Sequence, residues 1–481
     1  MSQHNPERGL SRRRFLQGAS AGLIAAPAYL VSGRTRAGDS GSELFALGVA
    51  SGDPSHDSVV LWTRLAPDPL NGGGMPRRPV VVDWAVATDP DMGRVIRRGV
   101  TTAQPEDGHA VHVVAHGLPS NQWLYYQFRA MGSQSRIGRT RTFPAPRDRA
   151  ERLRFAVANC QNYQQGFYPA YRDMLGQDLD FVVHVGDYIY EDGPSSIVIA
   201  PGRSHNGGEV ISVEDYRNRY ALYRLDQDLQ DAHALYPFVV TPDDHEVENN
   251  YAGLIPEESS TTQGAEFVQR RLNAYQVYSE TMPLRPGNRQ HGKSPELRLY
   301  RRLQFGDLAD LHVLDTRQYR TDQPAGDGFG STDPGSLALE AVLGEALFDA
   351  DGIQDPKATL LGAQQEAWLA RNLSQSQARW NILAQQVMVM PWNLIESGRA
   401  NVALDPSIPP ELKAQLLPLF DQVEDLLNVD AWDGYRAARG RLLGAPARDA
   451  RAHPPEQPGD RDRGHPLGLG GGSALGFRRP R

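Results

Sequence analysis

After residue 150 the chain repeats one pattern: a short apolar run rich in β-branched residues, then a polar turn, then a helix-like segment. The runs are Leu153 to Ala158, Leu179 to Val185, Phe238 to Val240, Leu311 to Leu314 and Asn381 to Met390. Leu361-Gly362-Ala363-Gln364-Gln365-Glu366-Ala367-Trp368-Leu369 is one of the helix-like segments. Strands that lack polar alternation are buried on both faces, which predicts an α/β layered core over residues 151–435. In such folds ligands gather at the carboxyl ends of the strands. The residues that follow each run are therefore the informative ones.

Residues 44–146 read differently. Ser58 to Arg64, Val80 to Val86, His112 to Ala115 and Trp123 to Arg129 are short strands separated by turn residues. That spacing predicts an all-β sandwich of the immunoglobulin or fibronectin III kind. Pro144-Ala145-Pro146 punctuates the chain as a linker. A length of 481 residues also exceeds what one core ordinarily supports. The net charge of −8 argues against a non-specific nucleic-acid binder, which needs a basic face.

The first 37 residues read as an export signal. Arg12-Arg13-Arg14-Phe15-Leu16 precedes a small-residue apolar stretch from Gly18 to Val31, followed by Thr35-Arg36-Ala37. Paired arginines before Phe-Leu indicate the twin-arginine translocation machinery as a partner. The apolar stretch falls short of the roughly 20 residues needed to span a bilayer, and Pro27 interrupts it. The mature chain is expected to be soluble, secreted or periplasmic, and monomeric. Cys160 is the one cysteine in 481 residues, so it cannot form an internal disulfide. It is a buried inert thiol, a ligand or a nucleophile.

Three apolar runs end in reactive side chains. The first leads into Asn159-Cys160, the second into Gly186-Asp187-Tyr188-Ile189-Tyr190-Glu191, and the third into Asp243-Asp244-His245-Glu246. Thiol, carboxylate, phenol and imidazole together suit a transition metal such as iron(III) better than structural zinc. Taken singly, each has a plainer reading: Asp187 a turn former, Tyr190 a half-buried aromatic, Asp243-Asp244 a solvated turn. His184 reads as a core or supporting histidine. Arg317 reads as a partner of Asp315 before it reads as a phosphate contact.

Gly186-Asp187-x-x-Tyr190 resembles the metal-binding motif of purple-acid-phosphatase-like metallophosphoesterases, and Asp244-His245-Glu246 stands where those proteins carry Asn-His-Glu. The chain is more specifically similar to the alkaline phosphatase D (PhoD) family. The resemblance rests on Phe45 to Pro54, Leu61 to Arg64, Gly186 to Glu191, Asp243 to Asn250, Leu314 to Arg320 and Trp432-Asp433-Gly434-Tyr435. Pro242 departs from it, where a Trp usually precedes the Asp-Asp-His.

The resemblance implies an exported phosphoric ester hydrolase, an alkaline phosphatase or phosphodiesterase acting through a metal-activated hydroxide on phosphate mono- or diesters. It implies iron(III) held by Cys160, Asp187 and Tyr190, with calcium beside it on Asp187 and Asp244. His245 and Asp187 take the catalytic roles, His245 steadying phosphoryl charge or protonating the leaving oxygen.

The resemblance also predicts a late Gly-Asp-Ile/Val-His strand within about forty residues after Tyr435, and the sequence does not contain one. Arg436 to Arg481 has no Val, Ile, Tyr, Trp or Met. Three of the 50 basic residues are Lys, the mark of a GC-rich gene. Glu456 to Phe477 can be back-translated so that reading from the second base gives Ser-Asn-Pro-Val-Ile-Val-Thr-Gly-Asp-Ile-His-Ser-Ala-Trp. Residues 436–481 are therefore expected to be an irregular, frameshifted or disordered tail, with His453 and His465 not serving as ligands. A non-catalytic remnant lacking those ligands is the alternative reading. An adhesion module built on the N-terminal sandwich is a third, and it leaves the three strand ends as coincidence.

Overall fold

Sequence patterning and strand pairing agree best in the parallel strands that carry the reactive residues. The computed structural model describes residues 43–196, 199–257, 259–286, 297–324, 326, 352–391, 399–400, 403–404, 409–418, 430–444 and 474–478. The export signal expected at residues 1–37 lies outside them.

Strands β1 (Val49–Gly52), β2 (Ser58–Arg64) and β5 (Ala110–His116) form one antiparallel layer. Strands β3 (Val80–Ala87), β4 (Val95–Ala103), β6 (Trp123–Ala130), β7 (Ser133–Gln134) and β8 (Gly138–Arg141) form a second. In β6 every second residue is buried, the period-2 pattern of a strand with one face on a core. Val59, Leu61 and Val113 of the first layer share a core with Val82, Tyr126 and Phe128 of the second, so the two layers form a sandwich.

The first layer does not stop at the linker. β1 pairs in parallel with β11 (Pro237–Val240), which continues through β10 (Phe181–His184) to β9 (Phe155–Ala158). The result is one six-stranded sheet, in order β5-β2-β1-β11-β10-β9. Facing it are β12 (Arg301–Phe305), β13 (Ala309–Val313), β14 (Trp380–Ala384) and β15 (Ala474–Arg478). The strand expected over Asn381 to Met390 thus ends at Ala384; beyond it the chain turns and Gln385 and Gln386 spend their side chains on hydrogen bonds.

Val183, Phe181 and Val239 pack against Leu311, Val313 and Ile382 between these sheets. On the outer side of β10 and β11 lie α1 (Pro169–Met174), α2 (Val213–Arg224), α3 (Gln227–Leu235) and α4 (Ala265–Thr281), with Tyr220, Leu229 and Val277 against Val182 and Phe238. On the outer side of β13 and β14, Leu369 of α5 (Gly362–Gln375) and Trp432 pack against Leu314 and Leu383. The order helix, sheet, sheet, helix is why the strands in the middle read as near-continuous apolar runs.

The tail is not irregular throughout. After α6 (Pro410–Leu416), α7 (Arg436–Gly444) buries Ala438 and Leu442, four residues apart on one side, beside Trp432 and Tyr435. Residues 474–478 supply β15, antiparallel to β14. A helix with two apolar residues on one side and a strand that completes a ladder each gain enough pairing to escape the low-complexity composition around them. Residues 445–473, with His453 and His465, lie outside the described residues.

Candidate metal centre

Parallel pairing puts the carboxyl ends of β9, β10 and β11 on one edge, and the chain bends sharply as it leaves each strand. Cys160 follows β9 with φ +51°, and Asp187 follows β10 with φ +54°, both left-handed for residues other than Gly. Gly186, at φ +105°, lies so near Asp243 that a Cβ there would stand 2.4 Å from its Cβ and backbone N. This contact holds the turns after β10 and β11 against each other.

Side chains on the edge converge on Asp187. The Cys160 thiol donates to its Oδ2 at 3.3 Å, and the Tyr190 hydroxyl donates to the same oxygen at 3.1 Å. Oδ1 is buried and has no hydrogen-bond partner. One ligand atom each from Asp187, Asp244 and His245 lies within 4.8 Å of the others. Tyr190 stacks on His245 with ring centroids 4.1 Å apart. All five residues singled out from the sequence therefore gather at one point. Cys160 is exposed as a residue while its sulfur turns inward to Asp187, and Asp243 and Asp244 are buried rather than forming a solvated turn.

Electrostatics follow from crowding acids in a place that water reaches poorly. Burial pushes Asp187 up to about 6; His245 opposes this and Asp244 adds to it. Enclosure of the sulfur and the charges of Asp187 and Asp243 raise the Cys160 thiol well above its usual value. Burial and Asp187 do the same to the Tyr190 phenol. Thiol and phenol thus keep their protons and hand them to Asp187 as hydrogen bonds. A cation takes the place of those protons when ligands of this kind bind metal. The unpartnered Oδ1 of Asp187, with a sulfur, a phenol and a second carboxylate beside it, fits a bound metal ion.

The structure adds partners that motif reading overlooked. Glu191 accepts from His245 Nδ1 at 2.7 Å and from the backbone N–H of Asn249 at 2.7 Å. Burial alone lowers an imidazole, yet Glu191, Asp244 and Asp187 raise His245 well above its ordinary value. Burial tends to raise Glu191, and the His245 charge outweighs it, bringing the carboxylate down to about 2. Glu246 accepts the backbone N–H groups of Asp187 at 3.1 Å, Tyr188 at 2.6 Å and Asp243 at 2.7 Å. Both glutamates stood inside the quoted motifs; what the motifs lacked was their direction.

Arg317 corrects a reading made from sequence neighbours. Only its backbone N–H meets Asp315, at 3.0 Å. Its guanidinium goes to Asp243 at 2.6 Å, to Asp430 at 2.7 and 2.5 Å, and lies 3.3 Å from Asp244. The side chain of Asp315 instead receives the Gln318 amide, which leaves the arginine free to cross to the β11 turn. His184 is a core residue, 1% exposed, with Nε2 3.3 Å from Gln161 Oε1. Burial pulls it down to about 3, so it is neutral.

Comparison with known proteins gives the family. Residues 155–453 match the model of the PhoD-like phosphatase family, and residues 31–144 match that of the PhoD-like phosphatase N-terminal domain. Alkaline phosphatase D of Bacillus subtilis (strain 168) is 44% identical over 440 residues, which is 90% of this chain and 68% of that protein. A solved structure of PhoD superposes with a TM-score of 0.71 at 44% identity, covering 85% of this chain and 70% of the other. With 299 residues matched by the main family model, the chain belongs to the PhoD-like phosphatases and is a phosphoric ester hydrolase of the alkaline phosphatase D type.

Proposed function

We propose that the protein is an exported, metal-dependent hydrolase of phosphate mono- or diesters, with iron(III) and calcium held at the edge formed by β9, β10 and β11. Cys160, Asp187 and Tyr190 hold the iron in this reading, and Asp187 with Asp244 holds the calcium. The observation that carries it is the convergence of Cys160 and Tyr190 on one oxygen of Asp187 while the other oxygen, buried, has no partner. Cations bound here supply Lewis acidity, which lowers the pKa of a bound water and neutralises charge on phosphoryl oxygens.

The chain's own residues do the rest. His245, held charged by Glu191, offers a proton from Nε2 to a leaving oxygen or steadies phosphoryl charge. Glu246 fixes the backbone of Asp187, and Arg317 fixes Asp243 and Asp244, so the acids keep their spacing as charge changes. Export by the twin-arginine route, an immunoglobulin or fibronectin III character for the sandwich, and a monomeric state belong to the same reading. No helix among the described residues is long and apolar enough to cross a membrane.

The absence of a Gly-Asp-x-His segment from the sequence favours one alternative, an inactive remnant whose ligand set was lost through a frameshift after Tyr435. Purified protein is tested for iron and calcium content and for hydrolysis of p-nitrophenyl phosphate and bis-p-nitrophenyl phosphate. Coloured, metal-loaded, active protein is expected. Colourless protein inert toward both esters, even after metal addition, establishes the remnant. Sequencing the gene downstream of codon 435 tests the frameshift.

A further inference from the structure

We propose that Arg224 holds a small inorganic anion of chloride size in the interior, where the sandwich meets the helices over the parallel sheet. Arg224 is the last residue of α2 and is 1% exposed. Its Nε, Nη1 and Nη2 are all buried and none makes a well-formed hydrogen bond; the Tyr188 hydroxyl is the one polar side-chain group placed to share a bond with them. The guanidinium carbon lies 4.2 Å from the centroid of the Trp62 ring. The groups whose charge supports it are the phenols of Tyr188 and Tyr126, and no carboxylate is among them.

Other interior arginines of this protein reach acceptors, carboxylates in some cases and, for Arg219 and Arg64, backbone carbonyls. Arg270 meets Glu248 at 2.6 Å, and Arg317 meets Asp243 and Asp430. A buried charge without a counter-charge is among the most expensive things a fold can hold, and a ring face offsets only a part of it.

The neighbourhood has a surplus of donors. A guanidinium brings five N–H groups and no acceptor. The Tyr188 hydroxyl is 3.0 Å from His233 Nε2 and so is already engaged. Tyr126 Oη is buried beside the Ser51 hydroxyl and makes no well-formed hydrogen bond. Water at this point accepts two hydrogen bonds and can place its own protons on hydroxyl oxygens such as that of Tyr126, but it is neutral and leaves the guanidinium charge uncompensated. A halide accepts from every side and cancels the charge. The site differs from the metal centre in sign and chemistry, although Tyr188 follows Asp187 directly and makes the two neighbours in sequence.

The test uses the full chain as isolated. Unfolding is followed while chloride or bromide replaces gluconate at constant ionic strength, and crystals are grown in bromide. Anomalous scattering beside the Arg224 guanidinium is expected, with a midpoint about 2 °C or more higher in halide. Arg224→Met, which removes the charge while keeping the bulk, should unfold at the same temperature in either salt. An ordered water at that point in bromide-grown crystals, or equal midpoints for the unmodified protein in halide and gluconate, overturns the proposal. The crystallographic readout needs no variant, so a failure of Arg224→Met to fold leaves the proposal open to refutation.

Discussion

The carboxylate of Glu246 accepts the backbone N–H of Asp187 at 3.1 Å across 59 residues of sequence. It receives the N–H groups of Tyr188 and Asp243 as well, so one buried side chain stitches the turns after β10 and β11 together. Carboxylates that share a site need their spacing held, and this anchor ties the backbone of Asp187 to that of Asp243. Glu246→Gln replaces one accepting oxygen with an amide that faces donors. Its kcat and metal content are expected to fall about 10–100-fold, the range for partners that orient ligands. Steady-state kinetics alongside metal analysis check this, with far-UV circular dichroism unchanged.

Gly186 tests the same junction from the backbone side. An added methyl meets Asp243 at 2.4 Å, and the φ of +105° disfavours any side chain. Gly186→Ala should cost about 2–3 kcal/mol of stability. It should also lower activity in the fraction that still folds, because Asp187 is the next residue. Urea unfolding and assay of the soluble fraction measure both.

Cys160 and Tyr190 give a spectroscopic prediction. A phenolate on iron(III) has a visible charge-transfer band, so Tyr190→Phe is expected to lose the colour. Cys160→Ser should bind less iron and shift the band rather than abolish it. Absorption spectra normalised to measured iron distinguish the two. A Tyr190→Phe protein that keeps both iron and an unchanged band contradicts the assignment.

Asp430 gives a pH dependence with a definite sign. Burial tends to raise it, but Arg317 and Arg320 more than compensate and hold it below its ordinary 3.8. A depressed carboxylate contributes stability that is complete above its unfolded pKa and is lost as the pH falls through the lower folded one. Asp430→Asn is expected to cost about 3 kcal/mol near neutral pH, since it leaves two buried guanidinium groups short of a partner. The cost should shrink toward pH 3 and below. Chemical unfolding at a series of pH values shows whether the two stability curves converge on the acid side.

The strands and the residues at their ends were readable in the chain. Apolar runs placed β9, β10, β11 and β13 to within a few residues, because a strand covered on both faces leaves no polar alternation. Cys160, Asp187, Tyr190, Asp244 and His245 stood out because reactive side chains at successive strand ends are hard to explain singly. The strand β4 went unread: Arg97 and Arg98 interrupt it at an exposed face, so its pattern is weak.

Sequence alone determined which side chains reach the edge, since strand period and turn residues are local properties that the chain carries with it. Tertiary structure decided how they are held. Glu246 and Asp187, Glu191 and His245, and Arg317 and Asp430 meet across 59, 54 and 113 residues. Hydrogen-bond direction at such separations depends on how sheets and turns pack in space, and no spacing rule along the chain encodes it.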